Sequence, residues 1–311
     1  MFNFAQRRRY YFLLSGTFIG LGILAMVVSL MRTGSPFQVG VDFQSGTRFE
    51  FRFLIPVTEN DIREVFRNFG VENPAVIALR GQGVENTWQI RTEFVAPQTA
   101  SVIEAALAEQ VGPLDSQATL VQSVSPAVGS EVQRAAVVAV LVASGIMLFY
   151  VMFAFRQVPN AVRYGACAVI AMLHDILVLF GFIAIMGLLL GWEVNALFLT
   201  AVLTVAGFSL QDTIVVFDRI RENIKRRPTE AYETVVNRSV LETIHRSLAT
   251  QLNAMFVLVA IILFGGHSIR QFITVLFVGL FSGTYSSIFN AVPLLVSWEK
   301  GEIPFLKKRT A

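Results

Sequence analysis

The chain has 311 residues, 54% of them hydrophobic and only 15% charged, with a mean hydropathy of +0.60. Such a composition excludes a soluble globular domain and describes a membrane protein with several spans. The formal net charge is +3, but in such a chain the placing of the basic residues says more than their sum.

Arg7, Arg8 and Arg9 precede an apolar run from Tyr10 to Met31. The run is too long for a signal peptide and no small-residue cleavage site follows it, so residues 1–31 are expected to form a tail and a retained first span. Gly16 and Gly20 make a small-xxx-small step, which suits close helix packing or mere exposure to lipid. Residues 32–134 then read as an extracytoplasmic domain, long enough for a core of its own.

Thr47–Phe53 alternates as a strand with its aromatics on one face. Thr58 and Asp61 read as a helix start, with Ile62, Val65, Phe66 and Phe69 inward and Gly70 as the stop. Ala75–Leu79 is a short strand, 81–86 a turn and Thr87–Phe94 another strand. Pro97–Val111 is an amphipathic helix with Val102, Ile103, Ala106 and Leu107 inward, and Gln117–Val124 closes as a strand. The order is βαββαβ, a split βαβ or ferredoxin-like α+β sandwich. No metal cluster, nucleophile pair or phosphate loop is visible in it, which points to contact rather than chemistry.

Residues 135–298 hold five more spans: Ala135–Phe155, Ala161–Leu190, Val194–Phe217, Ser247–Phe264 and Gln271–Trp298. Between the fourth and fifth, 218–246 is a polar inside segment with an amphipathic helix at Ala231–Ile244. Residues 299–311 form an inside tail. The short loops assigned to the inside carry the basic clusters, including Arg219, Arg221, Lys225–Arg227 and Lys307–Arg309, as the positive-inside rule requires. Both termini are then inside. The single cysteine, Cys167, can form no internal disulfide and reads as a small packing residue.

Charged residues within spans are costly and are functional by default. Asp212 lies about five residues from the inner end of span four, or roughly 8 Å, and Arg246 opens span five at the same edge. The two are expected to face each other. Asp175, beside His174, lies roughly 18 Å from the inside, past the middle of a core of about 30 Å. Carboxylates at two depths suit a stepwise ion path. Asp212 with Arg246 could instead be a static ion pair, and His174–Asp175 a satisfied interior pair. Asp218, Arg219, Arg221 and Glu222 flank the interface, where a solvated helix end is the simpler reading.

Gly207–Asn223, reading GFSLQDTIVVFDRIREN, closely resembles the fourth-span signature of the SecF family of protein-export membrane subunits. Gly40-Val-Asp-Phe-Gln-Ser-Gly-Thr47, with Gly40, Asp42 and Gly46, resembles that family's motif after span one. Ser125–Gly129, Ala171–Asp175 and Thr243–Ser247 resemble its marks at the starts of span two, in span three and at the start of span five. The resemblance implies an α-helical, six-span membrane protein of RND type in the bacterial cytoplasmic (inner) membrane, with its outside domain handling the translocating polypeptide. It implies SecD as partner, the SecYEG translocon as the machine assisted, and YajC and YidC as further associates, with no nucleic acid. It also implies an ion-gradient-driven transport subunit rather than an enzyme, with no cofactor beyond the transported H+ or Na+. Asp212 and Arg246 map onto the family's ion-coupling aspartate and arginine. Gly207, Gln211, Asp218 and Arg219 fall within the signature.

Departures are few. Ser45 stands where the family carries glycine, which leaves that turn's geometry open. Phe208 and Gln211 replace the commoner Tyr and Asn, Gln211 keeping an amide beside Asp212, and Ser247 replaces Thr. Gly279 and Gly283 in span six offer a small-residue surface for packing, with a related subunit expected to complete the ion path. Two other readings remain in view: a small-molecule exporter of the same superfamily and a pure scaffold.

Overall fold

The structure is a computed structural model that describes residue 4 and residues 6–79, 85–156 and 161–302. The tip of the 81–86 turn, the Pro159 loop and the Lys307–Arg309 tail lie outside the described residues. In chain order the elements are α1 (Arg8–Thr33), a short α2 (Val41–Gln44), β1 (Gly46–Arg52), α3 (Glu59–Asn68), β2 (Ala75–Ala78), β3 (Thr87–Thr92), α4 (Pro97–Gln110) and β4 (Leu120–Val124). There follow α5 (Pro126–Ala154), α6 (Ala161–Leu190), α7 (Ala196–Arg226), α8 (Tyr232–Phe264), α9 (His267–Ser286), a π-helical turn at Ser287–Ala291 and α10 (Val292–Glu299). Among the described residues, six helices are long and apolar enough to cross a membrane: α1, α5, α6, α7, α8 and the Ile269–Glu299 stretch. Helix satisfies every backbone polar group within the segment, which is why apolar runs take this form.

The chain divides into two compact units. The smaller consists of Phe37–Val138 together with Met186–Leu197. Its antiparallel sheet runs in the order β2-β3-β1-β4. Phe49, Phe51 and Phe53 alternate inward from β1, as their period-two spacing requires. They form a core with Ile62, Val65 and Phe66 of α3 and Ile103 and Leu107 of α4.

A capping box starts α3: Thr58 accepts from the Asp61 backbone while Asp61 accepts from the Thr58 backbone. Gly70, at φ +81°, ends that helix. Two inward expectations are corrected. Val102 is 53% exposed, because Ala100, Ile103, Ala106 and Leu107 already occupy the buried face and Val102 lies about 100° away from Ile103. Phe69 sits at the helix C-cap and is exposed.

In the larger unit, Phe155 stacks on Tyr164 with ring centroids 5.5 Å apart, and Phe217 meets Tyr164 edge-on at 5.4 Å. Cys167 is wholly buried beside them. By contrast α5 turns Leu141, Ile146, Phe149 and Phe153 outward, as a lipid-facing helix does.

Two sequence expectations change here, and one left open is decided. The polar 218–246 segment holds no separate amphipathic helix; α7 runs on to Arg226 and α8 starts at Tyr232, each extending past its apolar stretch. Of the two readings of Gly16 and Gly20, exposure holds: a Cβ at either would meet nothing within 4 Å among the described residues. Gly22 instead crosses Gly181 of α6, where an added Cβ would lie 2.8 Å from the Gly181 Cα. Gly279 and Gly283 pack within this chain, against Val205 and Ser209 of α7.

Candidate functional site

Asp175 is completely buried on α6. Its Oδ1 accepts from Ser282 Oγ at 2.7 Å and its Oδ2 from Ser209 Oγ at 2.5 Å and Ser286 Oγ at 2.6 Å. His174 Nδ1 lies 3.1 Å from Oδ1. A single carboxylate thus ties α6, α7 and α9 together. The three serines were not anticipated from the sequence, although a signal existed. Gly279, Ser282, Gly283 and Ser286 follow an i, i+3, i+4, i+7 stripe, and the two glycines let α9 approach α7 closely enough for the hydroxyls to reach. The Ser287 hydroxyl donates to the Ser209 carbonyl at 3.1 Å from the π-helical turn, where the altered register frees backbone groups.

Asp212 is buried on α7, at 6% exposure. Its partner is the side-chain amide of Gln251, which donates at 2.7 Å to Oδ2. The expected facing of Asp212 and Arg246 is therefore corrected: Arg246 is exposed and makes no ion pair among the described residues. The reason is helical phase. Ser239, Thr243, Ser247, Gln251 and Met255, each four residues apart, form the buried face of α8, and Arg246 lies about 100° off that line.

Gln211 is exposed, so the amide beside Asp212 comes from Gln251 on the neighbouring helix rather than from the neighbour in sequence. Gln251 Oε1 and Ser247 Oγ are buried with no hydrogen-bond partner among the described residues. Ser209 and Asp212 are one turn apart on α7, so both carboxylate centres meet on that helix.

The remaining signature residues are structural or solvated. Asp218 is exposed and pairs with Arg221 at 2.5 Å. Arg219 bridges Glu222 at 2.5 Å and Glu242 of α8 at 2.6 Å. A Cβ at Gly207 would meet nothing within 4 Å among the described residues, and their packing does not explain that glycine.

The motif after span one forms a socket in the smaller unit. The Gly40 N–H donates to the Val194 carbonyl at 2.8 Å, and the Val194 N–H donates to the Gln38 carbonyl at 2.7 Å. A Cβ on Gly40 would come within 3.0 Å of Glu193 Oε2, so glycine admits the 193–195 segment. Asp42 accepts from the Gln122 amide at 2.5 Å and from the Ala196 N–H, at the start of α7, at 3.0 Å.

Gly46 sits at φ +125°, and a Cβ there would lie 2.6 Å from the Thr92 carbonyl oxygen. Ser45 holds φ 62° and ψ 165°, a glycine-type backbone, so the turn keeps the glycine geometry at a cost of about 1–3 kcal/mol. Glu193, 2% exposed, accepts from Gln89 Nε2 at 2.6 Å and pairs with Arg91 Nε at 2.9 Å. Burial pushes its carboxyl above the usual carboxylate range, against the opposing pull of Arg91, Arg48 and the Gln89 amide. Among the described residues no group of His, Cys, Asp and Glu is arranged to hold a metal ion.

Six apolar helices, two buried carboxylates among them and a small α+β unit define a multi-span membrane protein with an extramembrane domain. A family model described as protein export membrane protein SecD/SecF, C-terminal, matches residues 103–301. The chain is 40% identical over its full length to a protein translocase subunit SecF of Thermobaculum terrenum, covering 98% of that protein. It is 40% identical over 97% of its length to one of Anaerolinea thermophila, covering 96% of that relative. The crystal structure of SecDF, a translocon-associated membrane protein from Thermus thermophilus, superposes with a TM-score of 0.79 at 30% identity over 96% of this chain. The chain spans 39% of that longer SecDF protein. The chain belongs to the SecD/SecF family of protein export membrane proteins.

Proposed function

We propose that this chain is a SecF-type translocase subunit of the bacterial inner membrane that works with a SecD-type partner to assist SecYEG-dependent export at the expense of an H+ or Na+ gradient. Relatives carrying both parts in one SecDF chain, of which this chain matches 39% and 38%, support the partnership. The positive-inside pattern supports cytoplasmic termini and an outside position for the small domain. The sheet order β2-β3-β1-β4 with two helices supports a ferredoxin-like domain that contacts the emerging polypeptide. YajC and YidC fit as further associates of the same machinery.

The observation that carries the ion-driven reading is Asp212. It is a buried carboxylate in a span, held by one neutral amide and by no cation among the described residues. At the centre of a span an acid costs about 2.5–3.5 kcal/mol on insertion scales, and less toward the inner end where Asp212 lies. A proton or sodium ion arriving at Asp212 removes the uncompensated charge. The unpartnered Gln251 Oε1 and Ser247 Oγ supply polar oxygens beside it. The ion then biases two helix arrangements. Asp175, saturated by hydroxyls, holds α6, α7 and α9 together while this happens.

Secretion of a reporter by cells carrying Asp212→Asn tests this, with membrane level and partner co-purification checked together. Lost gradient-dependent secretion at normal levels is expected. Unchanged secretion overturns the ion-coupling role and favours a scaffold. Collapse of the sodium gradient alone, against collapse of the proton gradient alone, identifies the ion.

A further inference from the structure

The geometry points to a coupling strap. The Met186–Leu197 segment between α6 and α7 is locked into the sheet domain by Glu193, and Glu193 is the positioning residue that passes movement of those two helices to the domain.

The turn between two membrane helices is ordinarily free to follow its helices. Here Met186–Leu197 belongs to the same compact unit as the sheet. Val194 bridges Val39 in parallel register, with both of its backbone polar groups engaged between Gln38 and Gly40. Gln38 reinforces this from the other side. Its Nε2 donates to the Gly187 carbonyl at 3.0 Å, and its Oε1 accepts from Arg91 at 2.8 Å.

Glu193 reaches from the strap to the central strand β3 and meets Gln89 and Arg91 there. A buried acid that accepts from an amide and lies 2.9 Å from an arginine nitrogen is less screened by water than the exposed Arg–Glu pairs at the other helix ends. Asp42 completes the connection by accepting from the first N–H of α7. The strap therefore joins, through one chain of backbone and buried side chains, the helix that carries Asp175 and the helix that carries Ser209 and Asp212. Gly40, a residue of the motif after span one, is glycine because Glu193 and Asn195 close over it.

The inference rests on the ion-driven reading above and deepens it, so the experiment separates the two. The full chain is expressed with its SecD-type partner, and gradient-stimulated reporter secretion is measured for wild type, Asp212→Asn and Glu193→Ala. Glu193→Ala is expected to lower the stimulated secretion at least threefold while membrane level and partner co-purification stay unchanged. A second variant adds Val39→Cys and Val194→Cys. Bridge partners about 4.8 Å apart lie within disulfide reach, and the oxidising outside compartment allows closure. Disulfide formation in the Glu193→Ala background is expected to restore stimulated secretion, and reduction to abolish it again.

A merely structural role for Glu193 predicts no such redox-dependent rescue. Unchanged secretion in Glu193→Ala, or a formed disulfide that rescues nothing, overturns the strap. If secretion does not respond to the gradient in wild type, the functional reading falls instead, and amide exchange judges the strap. The Gly40 and Val194 amides must then exchange as slowly as β3 in wild type and much faster in Glu193→Ala; equal protection in both overturns it.

Discussion

Asp175 and Asp212 are both aspartates buried in the span-forming unit, one turn of α7 connects their surroundings, and yet they are satisfied in opposite ways. Asp175 accepts three serine hydroxyls and faces a histidine, so every lone-pair direction has a partner from one of three helices. Asp212 has one amide. A carboxylate that accepts from several helices fixes those helices to one another, whereas one that accepts from a single amide fixes only one pair. The first arrangement ties three helices into one joint; the second is the one on which the proposed ion coupling rests. Glu193, outside the spans, shows a third solution: a buried acid paired with arginine.

The largest contrast should appear in stability. Asp175→Ala strands Ser209, Ser282 and Ser286 in a buried site and should cost about 3 kcal/mol or more, since each buried donor left without its acceptor costs about 1–3 kcal/mol. Thermal unfolding of the purified protein in detergent measures it. Asp212→Asn should stay within about 1 kcal/mol, because the carboxamide still accepts from Gln251. Equal losses in the two variants would abolish the distinction between the two carboxylates.

A smaller effect is expected from Ser286→Ala. It removes one of three hydroxyl donors to the Asp175 carboxyl and should cost about 0.5–1.5 kcal/mol in the same measurement. Export should persist wherever the protein still accumulates. If Ser286→Ala equals Asp175→Ala in cost, the three hydroxyls act as a unit rather than as separate bonds.

The finest test uses pH at Glu193. Its carboxyl is raised by burial, so the folded state holds its proton where the unfolded chain has released it. The associated stability is fully present below the unfolded value, near 4.3, and is lost as pH rises through the raised folded value. Wild type should therefore lose stability relative to Glu193→Gln as pH rises from about 4.3 through the raised folded value, by a fraction of the whole. Parallel melting curves across that range would contradict the assigned cause.

Much of the architecture was legible without coordinates. Run length fixed the six apolar helices, because lipid demands internally bonded backbone. Period-two aromatics located β1 and a capping pair located the start of α3, since both signals are local. The signature residues around Asp212 pointed to the family. What the sequence could not supply was the partner of each polar group. Asp175 meets serines 34, 107 and 111 positions away. Asp212 meets Gln251 rather than Arg246 because α8 is rotated so that Ser247 and Gln251 face inward. The 186–197 turn joined the sheet domain because Gly40 leaves room for Glu193. Hydrophobic length and periodicity act within one segment and are written in its order of residues. Helix rotation and the pairing of buried charges depend on which faces meet, and only packing decides that.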